Sequence, residues 1–101
     1  MTERQLVTKI TKYVKDNYKN IFWYKIPDIP AASTKKPFDV VGVYKGKPFG
    51  IEFKKPKGKI EDHQIENIQL IINAGGHATI MTLSDSMVDN KEKINNFLRG
   101  L

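Results

Sequence analysis

Three charged residues stand where a buried strand would not ordinarily place charge. Asp39 opens the apolar run Val40-Val41-Gly42-Val43-Tyr44, and Glu52 and Lys54 interrupt Gly50-Ile51-Glu52-Phe53-Lys54. Two carboxylates that converge offer oxygen donors only, a set that suits a hard cation such as Mg²⁺ or Mn²⁺. Such a cation activates water and stabilises charge developing on a phosphoryl oxygen. A lysine beside it can orient or deprotonate the water, or stabilise the pentavalent phosphorus. Together these pieces describe metal-dependent hydrolysis of a phosphodiester. On spacing alone, a solvated strand face carrying ordinary charges fits as well, because paired carboxylates also occur in structural networks.

Whether the charges converge depends on the elements that carry them. Phe38 to Tyr44 and Lys47 to Lys54 read as two strands, and Lys45-Gly46 fits a two-residue hairpin loop in which glycine supplies positive φ. Counting back from that turn pairs Tyr44 with Lys47, Val43 with Pro48, Gly42 with Phe49, Val41 with Gly50 and Val40 with Ile51. The same count sets Asp39 opposite Glu52. Directly opposed residues share a face with Cβ atoms about 4.5–5.5 Å apart, which is unfavourable for two carboxylates unless a cation lies between them. Lys54, two residues beyond Glu52, faces the same side. Phe49, Ile51 and Phe53 take the opposite face with Phe38 and Val40 and supply core. A one-residue slip of the turn would send one strand's charges to the other face.

Thr2 to about Tyr18 reads as a helix, with Thr2 as N-cap and Leu6, Ile10, Val14 and Tyr18 recurring every four residues beside Val7 and Tyr13. Glu3 lies in its first turn, three residues before Leu6. It is either a first-turn acid favoured by the helix dipole or a carboxylate aimed over the sheet toward the site. Ile21 to Ile26 is a first strand, closed by Pro27 and Pro30. The loop from Asp28 to Lys36 is small and basic; Ser33, Thr34, Lys35 and Lys36 suit phosphate contacts or a plain solvated loop. Lys55 and the turn Pro56-Lys57-Gly58-Lys59 add further lysines suited to a phosphate backbone.

Glu61 to about Ala74 forms the next helix, with Ile65, Ile68, Ile71 and Ile72 on one face. Gln64 sits on that stripe, where an amide either caps a buried group or faces a site. Gly75-Gly76 stops the helix. His77 to Leu83 is a fourth strand. A last helix, capped by Ser84 or Asp85, reaches about Leu98 and offers Met87, Ile94, Phe97 and Leu98 as contacts. His63 and His77, the only histidines, lack metal-ligand spacing; His63 is exposed or approaches a substrate. The order αβββαβα predicts an α/β fold, a mixed central sheet flanked by helices.

The chain's 101 residues fit one domain spanning 1–101, and 40% hydrophobic with 28% charged residues is an ordinary globular balance. The absence of cysteine excludes disulfides, Cys-based zinc sites and a thiol nucleophile. No apolar run is long enough to span a membrane, no secretory leader is evident, and no Gly-rich nucleotide loop occurs. An intracellular protein is expected, cytoplasmic or nucleoid-associated, of cellular, viral or plasmid origin, with neither membrane nor nucleotide cofactor as partner. The net charge of +6 points to a polyanion such as nucleic acid, or reflects a lysine-rich proteome.

Asp39, then Glu52-Phe53-Lys54, then Gln64 on the following helix resembles the PD-(D/E)xK nuclease superfamily. The run from Pro37 through Lys45-Gly46, Ile51-Glu52-Phe53-Lys54-Lys55-Pro56 and His63-Gln64 is most similar to its Holliday-junction-resolvase-like and VRR-NUC branches. The likeness covers nearly the whole chain, Glu3 matching an acid that the superfamily often carries on its first helix. In one departure, Phe38 precedes the aspartate where many relatives have proline, and Pro37 lies one residue earlier. The resemblance implies a restriction-endonuclease-like core and an endonuclease that cuts branched or duplex DNA with Mg²⁺ or Mn²⁺. It implies that Asp39, Glu52 and the Phe53 carbonyl hold the metal, that Lys54 is the catalytic lysine, that Gln64 supports the site, and that Glu3 holds a metal-bound water or a second ion. It further implies a homodimer, since resolving a four-way junction takes two cuts related by two-fold symmetry, and roles in DNA repair and recombination. Two alternatives are a VRR-NUC-type nuclease acting on other branched or linear DNA, and a non-catalytic nucleic-acid-binding module of the same fold.

Overall fold

In a computed structural model, residues 1–27 and 37–101 are described. The described elements are α1 (Glu3–Asn17), β1 (Phe22–Lys25), β2 (Val40–Tyr44), β3 (Lys47–Lys54), α2 (Asp62–Asn73), β4 (His77–Thr82) and α3 (Met87–Arg99). The strands form one mixed sheet in the order β1-β2-β3-β4. The first three are antiparallel neighbours, and β4 runs parallel to β3. A parallel neighbour needs a crossover, and α2 is that crossover. The α/β class expected from the sequence is the class observed.

Local chemistry sets the element ends. Thr2 caps α1 by a reciprocal pair of bonds: its Oγ1 accepts from the Gln5 N–H at 3.1 Å, and its own N–H donates to Gln5 Oε1 at 2.9 Å. Lys45 and Gly46 both adopt positive φ, 55° and 74°, the type I′ geometry whose twist matches a hairpin. At the end of α2, Gly75 has φ 88°, its N–H donates to the Ile72 carbonyl, and the Gly76 N–H reaches back to Ile71 at 2.8 Å. The cap of α3 falls at Ser86, not at Ser84 or Asp85: Ser86 Oγ accepts from the Asp89 N–H. The displaced Ser84 is held by buried Asn90, which accepts from its N–H at 2.9 Å and donates to its carbonyl at 2.8 Å.

The core lies on one face of the sheet. Trp23, Val40, Phe49, Ile51, Phe53 and Met81 pack there against Leu6, Ile10 and Val14 of α1 and Ile94 and Leu98 of α3. Gly42, paired between Trp23 and Phe49, leaves the space that lets their rings approach to 6.0 Å. A Cβ at Gly42 would stand 2.1 Å from the Phe22 carbonyl oxygen.

Helix α2 departs from expectation. Ile65 and Ile72 are exposed, together with Leu70, and its one buried residue is Gln64. The four isoleucines do lie on one side of α2, but Gln64, Ile68 and Ile71 hold the covered centre of that side, which leaves Ile65 and Ile72 at its exposed margin and Leu70 on the far side.

Candidate active site

The hairpin register is the one counted from the turn: Val40–Ile51 through Tyr44–Lys47 are paired as expected. The ladder then stops. The Asp39 N–H donates to the Ile51 carbonyl at 3.0 Å, one residue short of the partner that the count assigns. In place of a backbone partner, the Asp39 carboxylate enters the ladder. Its Oδ2 accepts from the Phe53 N–H at 2.8 Å. That bond ties Asp39 to the residue between Glu52 and Lys54.

Leaving the ladder also turns Phe38. The alternation that would have set it beside Val40 is lost, and its ring lies over Gly50, on the face that carries Glu52. Phe38 is buried but outside the main core cluster. Its expected place on the Phe49 face is therefore corrected.

Glu52 is only 6% exposed. Gln64 Nε2 donates to Glu52 Oε1 at 2.7 Å, and Lys54 Nζ stands 3.7 Å from the same oxygen. Gln64 is 7% exposed and also accepts, through Oε1, the Glu61 N–H at 3.0 Å. It thus caps the first turn of α2 and holds a buried carboxylate at once, the first of the two alternatives open to it from the sequence. A charged carboxylate this deep needs such partners, because an unpaired one is strongly disfavoured away from water.

The Phe53 carbonyl has a definite direction. The Lys54 carbonyl accepts from the Leu83 N–H, toward β4. Successive backbone groups of a strand point to opposite edges, so the Phe53 carbonyl faces the other edge, beside Asp39. Asp39, Glu52 and the Phe53 carbonyl offer only oxygen, the donor chemistry that suits Mg²⁺ or Mn²⁺.

Glu3 is half-buried in the first turn of α1. It does not complete a cluster: among the described residues, no three His, Cys, Asp or Glu side chains group closely enough to hold a metal ion. Lys55 is engaged locally, donating to the Met1 carbonyl at 2.5 Å with the Asp85 carboxylate 3.8 Å away. Lys57 and Lys59 are exposed in the turn that follows β3. His63 Nδ1 stands 3.1 Å from Glu61 Oε2. Ser33, Thr34, Lys35 and Lys36 lie outside the described residues.

Sequence reasoning missed the part played by Phe38. Its signal was present in the pairing of small Gly50 with Val41 next to a proline-flanked aromatic, but strict alternation hid it. Among the described residues, no helix is long and apolar enough to cross a membrane. Models of known protein families and curated protein sequences give no match to the chain.

Proposed function

We propose that the protein is a divalent-metal-dependent endonuclease of restriction-endonuclease-like fold, hydrolysing phosphodiester bonds in DNA. The observation that carries this reading is the buried Glu52 carboxylate. It is held by Gln64 and faced by Lys54, and Asp39 is anchored to the Phe53 backbone between them. A core needs no charge at that place, so a ligand-binding role accounts for it best.

Asp39, Glu52 and the Phe53 carbonyl would hold Mg²⁺ or Mn²⁺. The bound cation supplies Lewis-acid stabilisation of phosphoryl oxygen and a more acidic water. The chain's own residues do the rest. Gln64 fixes the rotamer of Glu52. The Phe53 N–H fixes that of Asp39. The Lys54 ammonium donates to a non-bridging phosphoryl oxygen or orients the attacking water, while Glu52 offsets its charge in the free protein. The P–O bond to the leaving oxygen breaks as the bond to water oxygen forms. The exposed lysines of the turn after β3 hold the phosphate backbone.

Branched DNA and a homodimer belong to the same proposal. Residues 67–84 are 18 consecutive positions without Asp, Glu, Lys or Arg, in a chain of net charge +6. They include the exposed Leu70 and Ile72 of α2 and all of edge strand β4. Two copies of a basic chain repel, so the stretch poorest in charge is where they meet at least cost, with Lys93 of α3 donating to the Thr82 carbonyl at its end.

The test is cleavage of synthetic four-way junctions, flaps and linear duplex with Mg²⁺ or Mn²⁺. Asp39→Ala, Glu52→Ala and Lys54→Ala each abolish cutting. Cutting at wild-type level by Glu52→Ala sinks the proposal.

A further inference from the structure

The face of the sheet that bears Glu52 is only half covered. Helix α2 packs against β4 and reaches Glu52 through Gln64. Among the described residues, no helix covers the β1–β2 half of the same face, and the Phe38 ring covers Gly50 beside it. Directly opposed residues share a face. Phe22, Val43 and Pro48 therefore form one row, and Tyr24, Val41 and Gly50 the next. Along β3, Glu52 and then Lys54 continue that face beyond Gly50.

This bare half is aromatic and open. Phe22 is 56% exposed and Tyr24 50%, and Val43 and Pro48 are exposed beside them. The two rings lie 6.3 Å apart, centroid to centroid, and within 9° of parallel. Exposed side chains of an edge strand are usually polar or charged, so two half-exposed aromatic rings here are unusual.

We propose that Phe22 and Tyr24 form a stacking platform for unpaired nucleobases of a strand whose backbone enters the carboxylate site. The inference rests on nucleic acid being the substrate, as proposed above. Three observations favour bases over a protein partner. The chain carries a net charge of +6. Lysines lie past the far end of the same face: Lys54, which closes β3 on the side of Glu52, and Lys57 and Lys59, exposed in the turn after it, suited to a phosphate backbone. Finally, the near-parallel rings present π faces in a common orientation, which suits successive bases whatever their identity. Tyr24 lies about 7 Å along the strands and about 10 Å across them from Glu52, by ordinary strand spacings. That reach is one or two nucleotides. A base displaced from a helix at a junction or flap would stack there while the adjacent phosphate meets Glu52 and Lys54, and a closed duplex would gain nothing from the rings. The platform thereby selects DNA with unpaired bases next to the cut.

The test measures binding without metal, in EDTA, so it does not depend on catalysis. The probes are a single-stranded oligonucleotide carrying 2-aminopurine, an abasic oligonucleotide of the same length, and a blunt duplex. Wild-type protein quenches 2-aminopurine on binding. Phe22→Leu/Tyr24→Leu keeps apolar bulk, removes the π faces, abolishes the quenching and weakens single-strand binding by about tenfold or more. Its binding of the abasic strand and of the duplex changes by less than about twofold. Tyr24→Phe retains wild-type binding and quenching. Binding is read in EDTA and cleavage with Mg²⁺, which separates the platform from the hydrolytic site: absence of cleavage with intact platform binding leaves each reading standing alone. Unchanged quenching and affinity in the double variant overturn the proposal. So does conversion of an assembled wild type to monomer by that variant, which would make this face a protein contact.

Discussion

Gln64 Nε2 donates to Glu52 Oε1 across 2.7 Å, joining the first turn of α2 to the centre of β3. Both side chains are buried, and the same amide accepts the Glu61 N–H through its oxygen. The helix start and the carboxylate rotamer are therefore one structural unit.

Gln64→Ala breaks that unit at both ends. It leaves a buried carboxylate short of a donor and a helix N–H short of an acceptor, and a loss of about 1–3 kcal/mol is expected in urea unfolding. Groups that orient a metal ligand typically control affinity by about 10–100-fold. Calorimetry with Mn²⁺ should show a loss of that size in Gln64→Ala. In urea unfolding without metal, Gln64→Glu should lose more stability than Gln64→Ala, because a second carboxylate then faces Glu52.

Gly50 and Phe38 are coupled by contact. A Cβ built at Gly50 would stand 2.7–2.9 Å from three atoms of the Phe38 ring. Gly50→Ala must push the ring aside, at a cost of about 1–3 kcal/mol. Phe38 adjoins Asp39, so activity should fall as well. In a Phe38→Ala background the ring is gone, and Gly50→Ala should cost less than about 0.5 kcal/mol. This double-mutant cycle, read by denaturant unfolding, isolates the contact.

Much of this arrangement was legible in the chain because two signals reinforced each other. Lys45-Gly46 defined the turn, and the turn defined every ladder pair down to Val40–Ile51. Period-four spacing likewise marked Leu6, Ile10 and Val14, all fully buried. What could not be read is what occurs where a period ends. At Asp39 a side chain replaces a backbone partner, so counting failed for Phe38, one residue on. On α2 the covered side was legible, since Gln64 sits on the isoleucine stripe, but not how narrow it is: Ile65 and Ile72 stand at its exposed margin. Buried Asn90 shows the same limit, since an amide bonding Ser84 across a turn has no periodic signature.

Tyr18 links helix α1 to α3 and titrates unusually. Its hydroxyl donates to Asn95 Oδ1, which Tyr13 also approaches at 3.2 Å, and its ring meets Tyr44 edge-on. Burial raises the Tyr18 pKa above its usual 10.0, with Tyr13 adding to the effect. The folded state thus holds this proton after the unfolded chain has released it. The resulting stabilisation is complete below the unfolded pKa and declines as pH rises through the folded one. Thermal unfolding of the wild type between pH 9 and 12 should show a decline that Tyr18→Phe makes shallower.

Ile65 and Ile72 are separated by two turns of α2 and are both exposed. Seven residues apart, they lie on the same side of the helix, and edge strand β4 follows within the charge-free stretch. If two copies meet there, an acid on each places like charges directly against each other across the two-fold axis. Ile65→Glu/Ile72→Glu is therefore expected to be monomeric in light scattering at concentrations where the wild type is a dimer. Neither side chain supports the core, so the variant's circular dichroism spectrum should match that of the wild type. On a four-way junction the dimer makes paired cuts and the monomer single nicks, which denaturing gels of uniquely labelled strands distinguish. A wild type that is monomeric at every concentration removes this surface from the proposal and leaves the chemistry at Glu52 untouched.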